Sequence, residues 1–362
     1  MEMTEQEEAE PNIEPVQVSL LTGFLGSGKT TLLNELVKHP DMVETAVLIN
    51  EFGEIGLDHQ LVERIDENTV LLNAGCLCCT VQGDLVNALS DLFIKRAREE
   101  VPHFRRVLIE TTGLADPAPI IHTLMTAPML SDRFALDGII TSVDAVNATN
   151  QLNRHVESVK QAAVADRIVI TKSDLVEPDA LEELKNRLGT LNPGAPKEIA
   201  IKGCIPPEKL FDAGLYDPKT KTIDVQRWLR EEAYLKQNGL GHDHEHHHHQ
   251  NDVNRHDDSI AAFCVTRDEP IDWEAFVAWV RILIGQHGEK LLRIKGILNI
   301  SGREKPIAVH GVQHMFHDPA ELAGWPDDDH RTRVVFITRD LDPGVIEEKL
   351  DSLMEQAAEL DK

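Results

Sequence analysis

Residues 16–39 read VQVSLLTGFLGSGKTTLLNELVKH, and this stretch decides the fold class. The β-branched, apolar run VQVSLLT predicts a buried strand, and TTLLNELVKH predicts a helix. Between them GFLGSGKT, 23–30, matches the pattern G-x-x-x-x-G-K-[ST], whose backbone N–H groups surround phosphates. We expect Lys29 to reach the β- and γ-phosphates and the Thr30 hydroxyl to bind Mg²⁺. The full set of residues expected to contact the nucleotide here is Gly23, Phe24, Leu25, Gly26, Ser27, Gly28, Lys29, Thr30 and Thr31.

Outward from this loop, short apolar runs alternate with amphipathic segments. The runs TAVLIN, NTVLLN, RRVLIE, DGIITSVD and DRIVITKSD predict strands, with helical segments such as DALEELKNRLGTL between them. This alternation is typical of βαβ units. We therefore predict an α/β fold: a P-loop NTPase domain whose mainly parallel sheet is covered by helices, followed by a smaller C-terminal α+β domain.

The 362 residues suit about two domains. We predict an acidic tail over 1–15, the nucleotide-binding domain over 16–237, a His-rich linker over 238–257, the α+β domain over 258–342 and a terminal helix over 343–362. A net charge of −26 argues against a nucleic-acid partner. No apolar run approaches the ~20 residues of a membrane helix. The first residues, MEMTEQEEAE, lack the features of a secretory signal, and the cysteine count is odd, so we expect a cytoplasmic protein.

Two further motifs bear on the nucleotide. TKSD, 171–174, follows a strand and resembles the N/T-K-x-D element of GTPases, in which the carboxylate of Asp174 would accept two hydrogen bonds from guanine and the stem of Lys172 would pack on the base. Thr171 replaces the usual Asn, which predicts the loss of a supporting hydrogen bond. In IETTGLADP, Glu110 ends a strand where it could orient Mg²⁺, and Gly113 could offer its N–H to the γ-phosphate and move when that phosphate leaves.

Three of the five cysteines lie together in GCLCC: Cys76, Cys78 and Cys79. Thiolates are soft ligands suited to Zn²⁺, and three protein ligands leave the fourth position open for exchange. A redox pair is the weaker interpretation, because a bridge between adjacent cysteines would be strained. Packing in a core is a third alternative. We favour a transferable metal site.

Taken together, GFLGSGKTT, NEFGEIGLD, GCLCCT, ETTGLADP and TKSD resemble the CobW family of metallochaperone GTPases over about residues 16–342. The resemblance implies slow GTP hydrolysis, with Lys29, Thr30 and Glu110 as the catalytic set, coupled to handling of Zn²⁺ or, in some branches, Co²⁺ or another transition metal. It also implies a client metalloprotein, which the sequence does not name. A metal- or nucleotide-dependent oligomer is a further expectation.

Other candidate metal ligands flank this motif. Glu51 and Glu54 in NEFGEIGLD could complete the metal shell or bridge to Mg²⁺, and an ordinary solvated loop remains the alternative. Seven of the 17 histidines fall between His242 and His256. We interpret this tract as a weak, exchangeable metal reservoir, with a flexible spacer or an expression tag as alternatives. The reservoir ligands would be His242, His244, His246, His247, His248 and His249.

The sequence is compatible with four functions. The leading hypothesis is a GTPase that transfers Zn²⁺ to a client metalloprotein. A related alternative is cobalt insertion for cobalamin synthesis or nitrile hydratase activation. A metal buffer with nucleotide as a structural ligand belongs to another class. A small-molecule P-loop kinase is disfavoured, because no acceptor-binding lid is evident and the three clustered cysteines would have no role.

Overall fold

The computed structural model describes residues 15–50, 70–74, 81–211, 260–317 and 319–360. Within the first three ranges, seven parallel strands form one sheet in the order β3-β2-β4-β1-β5-β6-β7. These strands are β1 (Val16–Gly23), β2 (Thr45–Asn50), β3 (Val70–Ala74), β4 (Arg106–Glu110), β5 (Phe134–Asp144), β6 (Arg167–Thr171) and β7 (Lys197–Ala200). The β1 strand is central, so the loop that follows it opens at the middle of the sheet's carboxyl edge.

Helices cover both faces of this sheet. They are α1 (Lys29–Leu36), α2 (Val81–Ala97), α3 (Ala118–Thr126), α4 (Pro128–Ser131), α5 (Ala148–Arg154), α6 (Val156–Val164) and α7 (Pro178–Leu191). In α7 the buried residues Leu184, Leu188 and Leu191 recur at helical spacing, which places one apolar face on the sheet. The β1 strand is buried along almost its whole length because it has neighbours on both edges and helices on both faces.

The C-terminal part contains an antiparallel sheet in the order β11-β10-β9-β13-β8, with β12 paired to β10. Its elements are β8 (Ile260–Arg267), α8 (Trp273–His287), β9 (Leu291–Leu298), β10 (Ile307–Val312), β11 (Met315–Phe316), β12 (Ala320–Glu321), β13 (Thr332–Arg339) and α9 (Pro343–Leu360). Asp272 begins α8 by accepting a hydrogen bond from the Ala275 N–H at 2.8 Å. Trp279 joins the two helices, since its indole N–H donates to the Ile346 carbonyl at 3.1 Å.

The two sheets share one interface. Leu292, Val312 and Ile337 of the C-terminal part belong to the same buried cluster as α3, α6 and β5. Polar contacts join the same two parts of the chain. Arg293 donates to the Val164 carbonyl and to Asp166, and Lys295 donates to Asp166 at 2.8 Å. Burial alone would raise the pKa of Asp166, but the cations of Arg293 and Lys295 outweigh it and lower that pKa to about 2.

The predicted fold class is confirmed: a parallel sheet flanked by helices, followed by a C-terminal domain with an antiparallel sheet. Three strands were not expected from the sequence: β7 and the two-residue strands β11 and β12. The β7 strand has four residues and lies at the sheet edge with only its last residue buried, so it lacks the apolar run by which the other strands were recognised.

Candidate nucleotide site

Glycine is required at the start of the phosphate loop. Gly23 has φ 142°, and a Cβ there would lie 2.4 Å from both the carbonyl and the hydroxyl oxygen of Ser142 on β5. Gly26 and Gly28 also have positive φ, at 73° and 89°. No larger residue could adopt this path without strain. The chain therefore turns sharply from β1 and directs the N-terminal end of α1 towards the loop.

Lys29 lies in the first turn of α1 and bends back over the loop. Its Nζ donates to the carbonyls of Gly23 at 2.8 Å and Phe24 at 3.3 Å. The side chain is buried, and this desolvation lowers the pKa of Lys29, while the nearby Glu110 acts in the opposite direction. Charged phosphate oxygens would be stronger acceptors for this ammonium group than the two neutral carbonyls.

Thr30 and Glu110 come from different elements and meet at this loop. The Thr30 hydroxyl donates to Glu110 Oε1 at 3.1 Å, and Glu110 is buried at the end of β4. Oxygen ligands of this kind, one hydroxyl and one carboxylate, suit Mg²⁺. The residues present therefore fit a magnesium ion, with Thr30 and Glu110 as the groups that would hold it or its waters.

The TKSD segment is hydrogen-bonded to the phosphate loop. The Thr171 hydroxyl donates to the Ser27 carbonyl at 2.7 Å, and Lys172 Nζ donates to the Gly26 carbonyl at 2.8 Å. Although Thr171 replaces the usual Asn, it therefore makes a hydrogen bond to this loop, because a threonine hydroxyl is long enough to reach the Ser27 carbonyl. Asp174 is exposed, in a short 3₁₀ turn after Lys172.

Sequence reasoning missed Asp144, which positions Lys172. This buried carboxylate at the end of β5 accepts from Lys172 Nζ at 2.7 Å and from the Asn147 side chain at 2.7 Å. Burial would raise the pKa of Asp144, but the hydrogen bonds from Lys172, Asn147 and the Val146 N–H outweigh burial and lower it. The sequence did contain a sign of this residue: the apolar strand β5 ends in the polar sequence SVD, 142–144, beside β1.

The segment that follows β4 lies against the phosphate loop. A Cβ at Gly113 would lie 2.7 Å from the Leu25 backbone nitrogen, so only glycine permits this approach. The buried side chain of Gln161 on α6 donates to the carbonyls of Gly113 at 3.3 Å and Ala115 at 3.0 Å. Gln161 was also missed, because nothing in its local sequence distinguishes it from a surface residue of a helix.

The predicted metal ligands lie outside the described residues: Glu51, Glu54, Cys76, Cys78, Cys79, His242, His244, His246, His247, His248 and His249. Within the described ranges, no group of three or more His, Cys, Asp or Glu side chains could hold a metal ion. Across the same part of the chain, no helix is both long and apolar enough to cross a bilayer.

Comparison with known proteins identifies two regions. The model of the CobW/HypB/UreG nucleotide-binding domain matches residues 17–198, and that of the cobalamin synthesis protein CobW C-terminal domain matches residues 260–354. The chain is 34% identical over 326 residues to zinc chaperone YjiA of Escherichia coli, covering 90% of this chain and 94% of YjiA. It is 28% identical over 379 residues to zinc-regulated GTPase metalloprotein activator 1 of Saccharomyces cerevisiae, covering 94% of this chain and 84% of that protein.

Among solved structures, the Zn(II)-bound YjiA GTPase from E. coli matches with a TM-score of 0.69 and 29% identity. That match covers 94% of this chain and 99% of the YjiA chain. Both matched regions and the geometry of the phosphate loop agree with this relationship. The chain belongs to the CobW family, with a CobW/HypB/UreG nucleotide-binding domain followed by a CobW C-terminal domain.

Proposed function

We propose that this protein is a GTPase that couples GTP binding and hydrolysis to the transfer of Zn²⁺ to a client metalloprotein. The observation that carries the proposal is the convergence of Lys29, Thr30 and Glu110 beside the phosphate loop. Relatives named zinc chaperone and zinc-regulated GTPase metalloprotein activator support both the GTPase activity and the transfer of zinc.

The phosphate half follows from the described residues. Lys29 would exchange its two carbonyl contacts for phosphate oxygens and offset their negative charge. Thr30 and Glu110 would hold Mg²⁺, which neutralises charge on the phosphates when it is bound. Gly113, already packed on Leu25, would present its N–H towards the γ-phosphate.

Preference for guanine would come from the segment after β6. Lys172 is held by Asp144 and by the Gly26 carbonyl, which places its stem beside the loop where a base would lie. Asp174 is exposed and would accept hydrogen bonds from the guanine N–H groups. Adenine lacks this pair of donors and would leave the carboxylate poorly satisfied.

The metal half rests on the sequence and on the names of relatives. Zn²⁺ is cargo in this proposal, held by Cys76, Cys78 and Cys79 with Glu51 or Glu54 as a further ligand, and the linker histidines form a weak reservoir. We propose zinc rather than cobalt as the cargo, because several relatives are named zinc chaperones. Such thiols need a reducing compartment, so we place the reaction in the cytosol.

Phosphate release tests the proposal. The protein would be incubated with Mg-GTP or Mg-ATP, with and without Zn²⁺, beside a Lys29→Ala variant and a variant with all three clustered cysteines changed to serine. We expect slow turnover that is specific for GTP and responds to Zn²⁺. Lys29→Ala should abolish turnover, and the serine variant should lose only the zinc response. Equal turnover of GTP and ATP would contradict the GTPase assignment.

A further inference from the structure

The segment after β4 connects the phosphate loop with the C-terminal domain. We define residues 113–116 as the sensor segment. At its start Gly113 packs against Leu25 of the phosphate loop. Three residues later, Asp116 accepts hydrogen bonds from Gln313 Nε2, with N–O distances of 3.0 and 3.3 Å. The expected γ-phosphate contact and the C-terminal domain are therefore only three residues apart along the chain.

Asp116 is held on more than one side. Lys160 on α6 lies 3.4 Å from one carboxylate oxygen, and the Ala118 N–H at the start of α3 donates to the other at 3.0 Å. Gln161, next to Lys160, binds the carbonyls of Gly113 and Ala115. The sensor segment thus lies between α6 of its own domain and Gln313 of the C-terminal domain, and a movement of Gly113 would be transmitted to these contacts.

Gln313 occupies an unusual backbone position. It begins the two-residue turn between β10 and β11 with φ 52°, where Gly or Asn is the usual residue. A left-handed conformation costs such a side chain about 1–2 kcal/mol. Val312, just before it, is buried in the cluster shared by the two domains, and Gln313 N–H donates to the Leu292 carbonyl at 3.3 Å. These contacts fix the backbone of the turn, and so they fix the position from which the Gln313 side-chain amide binds Asp116.

A purely structural role for this contact is the competing explanation. The domains are already joined by the buried Asp166–Arg293–Lys295 cluster and by the apolar cluster around Leu292. The Asp116 and Gln313 side chains are both partly exposed, and hydrogen bonds in such a place add little to an interface. Asp116 and Gln313 lie beside the expected γ-phosphate contact, so the hydrogen bond between them is placed to respond to the bound nucleotide.

We propose that Gln313 is a positioning residue that holds the sensor segment packed against Leu25 and α6, and so discriminates GTP from GDP. This rests on the proposed GTPase function and extends it to the C-terminal domain. Drawing the Gly113 N–H towards a γ-phosphate displaces the segment and loosens the Gln313–Asp116 contact. GDP has no γ-phosphate and leaves the contact in place. The contact therefore lowers affinity for GTP without changing affinity for GDP.

Two opposite changes at Gln313 test this. Gln313→Ala removes the amide, and Gln313→Lys offers Asp116 an ammonium group and strengthens the contact. Gln286→Ala is the matched control, since Gln286 is exposed on α8 of the same domain. Calorimetry would give the affinity of each full-length variant for Mg-GDP and for a non-hydrolysable Mg-GTP analogue.

We expect Gln313→Ala to bind the GTP analogue about twofold to tenfold more tightly, the range for the net contribution of one typical hydrogen bond. Gln313→Lys should bind it more weakly than the unmodified protein. GDP affinity should stay within about twofold in all variants, and Gln286→Ala should match the unmodified protein. This ratio of affinities would not change if the contact served only to hold the domains together.

Unchanged analogue-to-GDP ratios in both Gln313 variants, with nucleotide still bound, would overturn the inference and leave the GTPase assignment intact. A shift of the same sign in both variants would also overturn it. Failure of the unmodified protein to bind either nucleotide would overturn the proposed function itself, and this inference with it.

Discussion

Asp144 is a buried carboxylate at the end of β5 whose partners are Lys172, Asn147 and the Val146 N–H. Lys172 in turn has φ 54° and reaches the Gly26 carbonyl. The strained backbone and the paired side chain fix one orientation for the lysine. A recognition element that is already ordered loses less conformational entropy on binding.

This arrangement predicts the effect of Asp144→Asn. The amide would not carry the charge that holds Lys172, so guanine affinity should fall by about 10- to 150-fold, the range for a lost hydrogen bond to a charged group. The preference for GTP over ATP should fall with it. Asp137→Asn is the control, because Asp137 is another buried carboxylate of β5 but accepts from Ser19. Competition binding with both nucleotides measures the preference, and an unchanged preference in Asp144→Asn would argue against this role for Lys172.

The elements that form the site are the three central strands, β4, β1 and β5, and the loop between β1 and α1. β1 pairs with β4 on one side and β5 on the other, so Gly23, Glu110 and Asp144 all reach the same edge of the sheet. This is the edge at which ligands of open parallel sheets bind. Close packing of Gly23 on Ser142 of β5 makes this glycine part of the fold as well as part of the site.

Two glycine substitutions separate these contributions. Gly23→Ala should lower the free energy of unfolding by about 3 kcal/mol or more, because overpacking costs about 1–3 kcal/mol and the strained backbone adds to it. Gly26→Ala should cost about 1–2 kcal/mol, since its Cβ would meet nothing within 4 Å and only the left-handed backbone is penalised. Urea unfolding would measure both. Equal losses would show that contact with Ser142 is unimportant.

Much at the scale of elements was predictable from sequence. β1, the phosphate loop and α1 are contiguous, and their pattern of β-branched residues, glycines and helix formers is local. Asp144 and Gln161 were not predictable, because their roles depend on partners from other elements. Gln313 is 197 positions from Asp116, and only the packing of the two domains brings them together.

At the scale of the whole molecule, the domains are fixed to each other through Asp166. It accepts from Arg293 and Lys295, and its second oxygen accepts from the Ile139 N–H at 3.0 Å. The carboxylate thus links β5 and the end of α6 to the C-terminal sheet. Removing one member of such a buried group leaves the other charges without compensation.

We therefore expect Asp166→Asn to lower the free energy of unfolding by about 3–5 kcal/mol at neutral pH. The folded-state pKa of Asp166 is about 2, below its ordinary value of 3.8, so its contribution is present above the unfolded value. That contribution is lost as the pH falls from about 4 towards 2. Denaturation measured across this pH range should show that the difference in unfolding free energy between the unmodified protein and Asp166→Asn becomes smaller as the pH falls. A constant difference would mean that the carboxylate does not stay charged in the folded state.

The central claim is that one protein links a nucleotide site to a metal site, and a linkage titration tests it most directly. Zn²⁺ affinity would be measured by chelator competition in the nucleotide-free, GDP-bound and GTP-analogue-bound states. We predict affinities that differ between the GDP and analogue states by about 5- to 150-fold, with the analogue's affinity changed by the same factor when zinc is bound. Identical zinc affinities in all three states would contradict the account, because nucleotide could not then drive metal transfer.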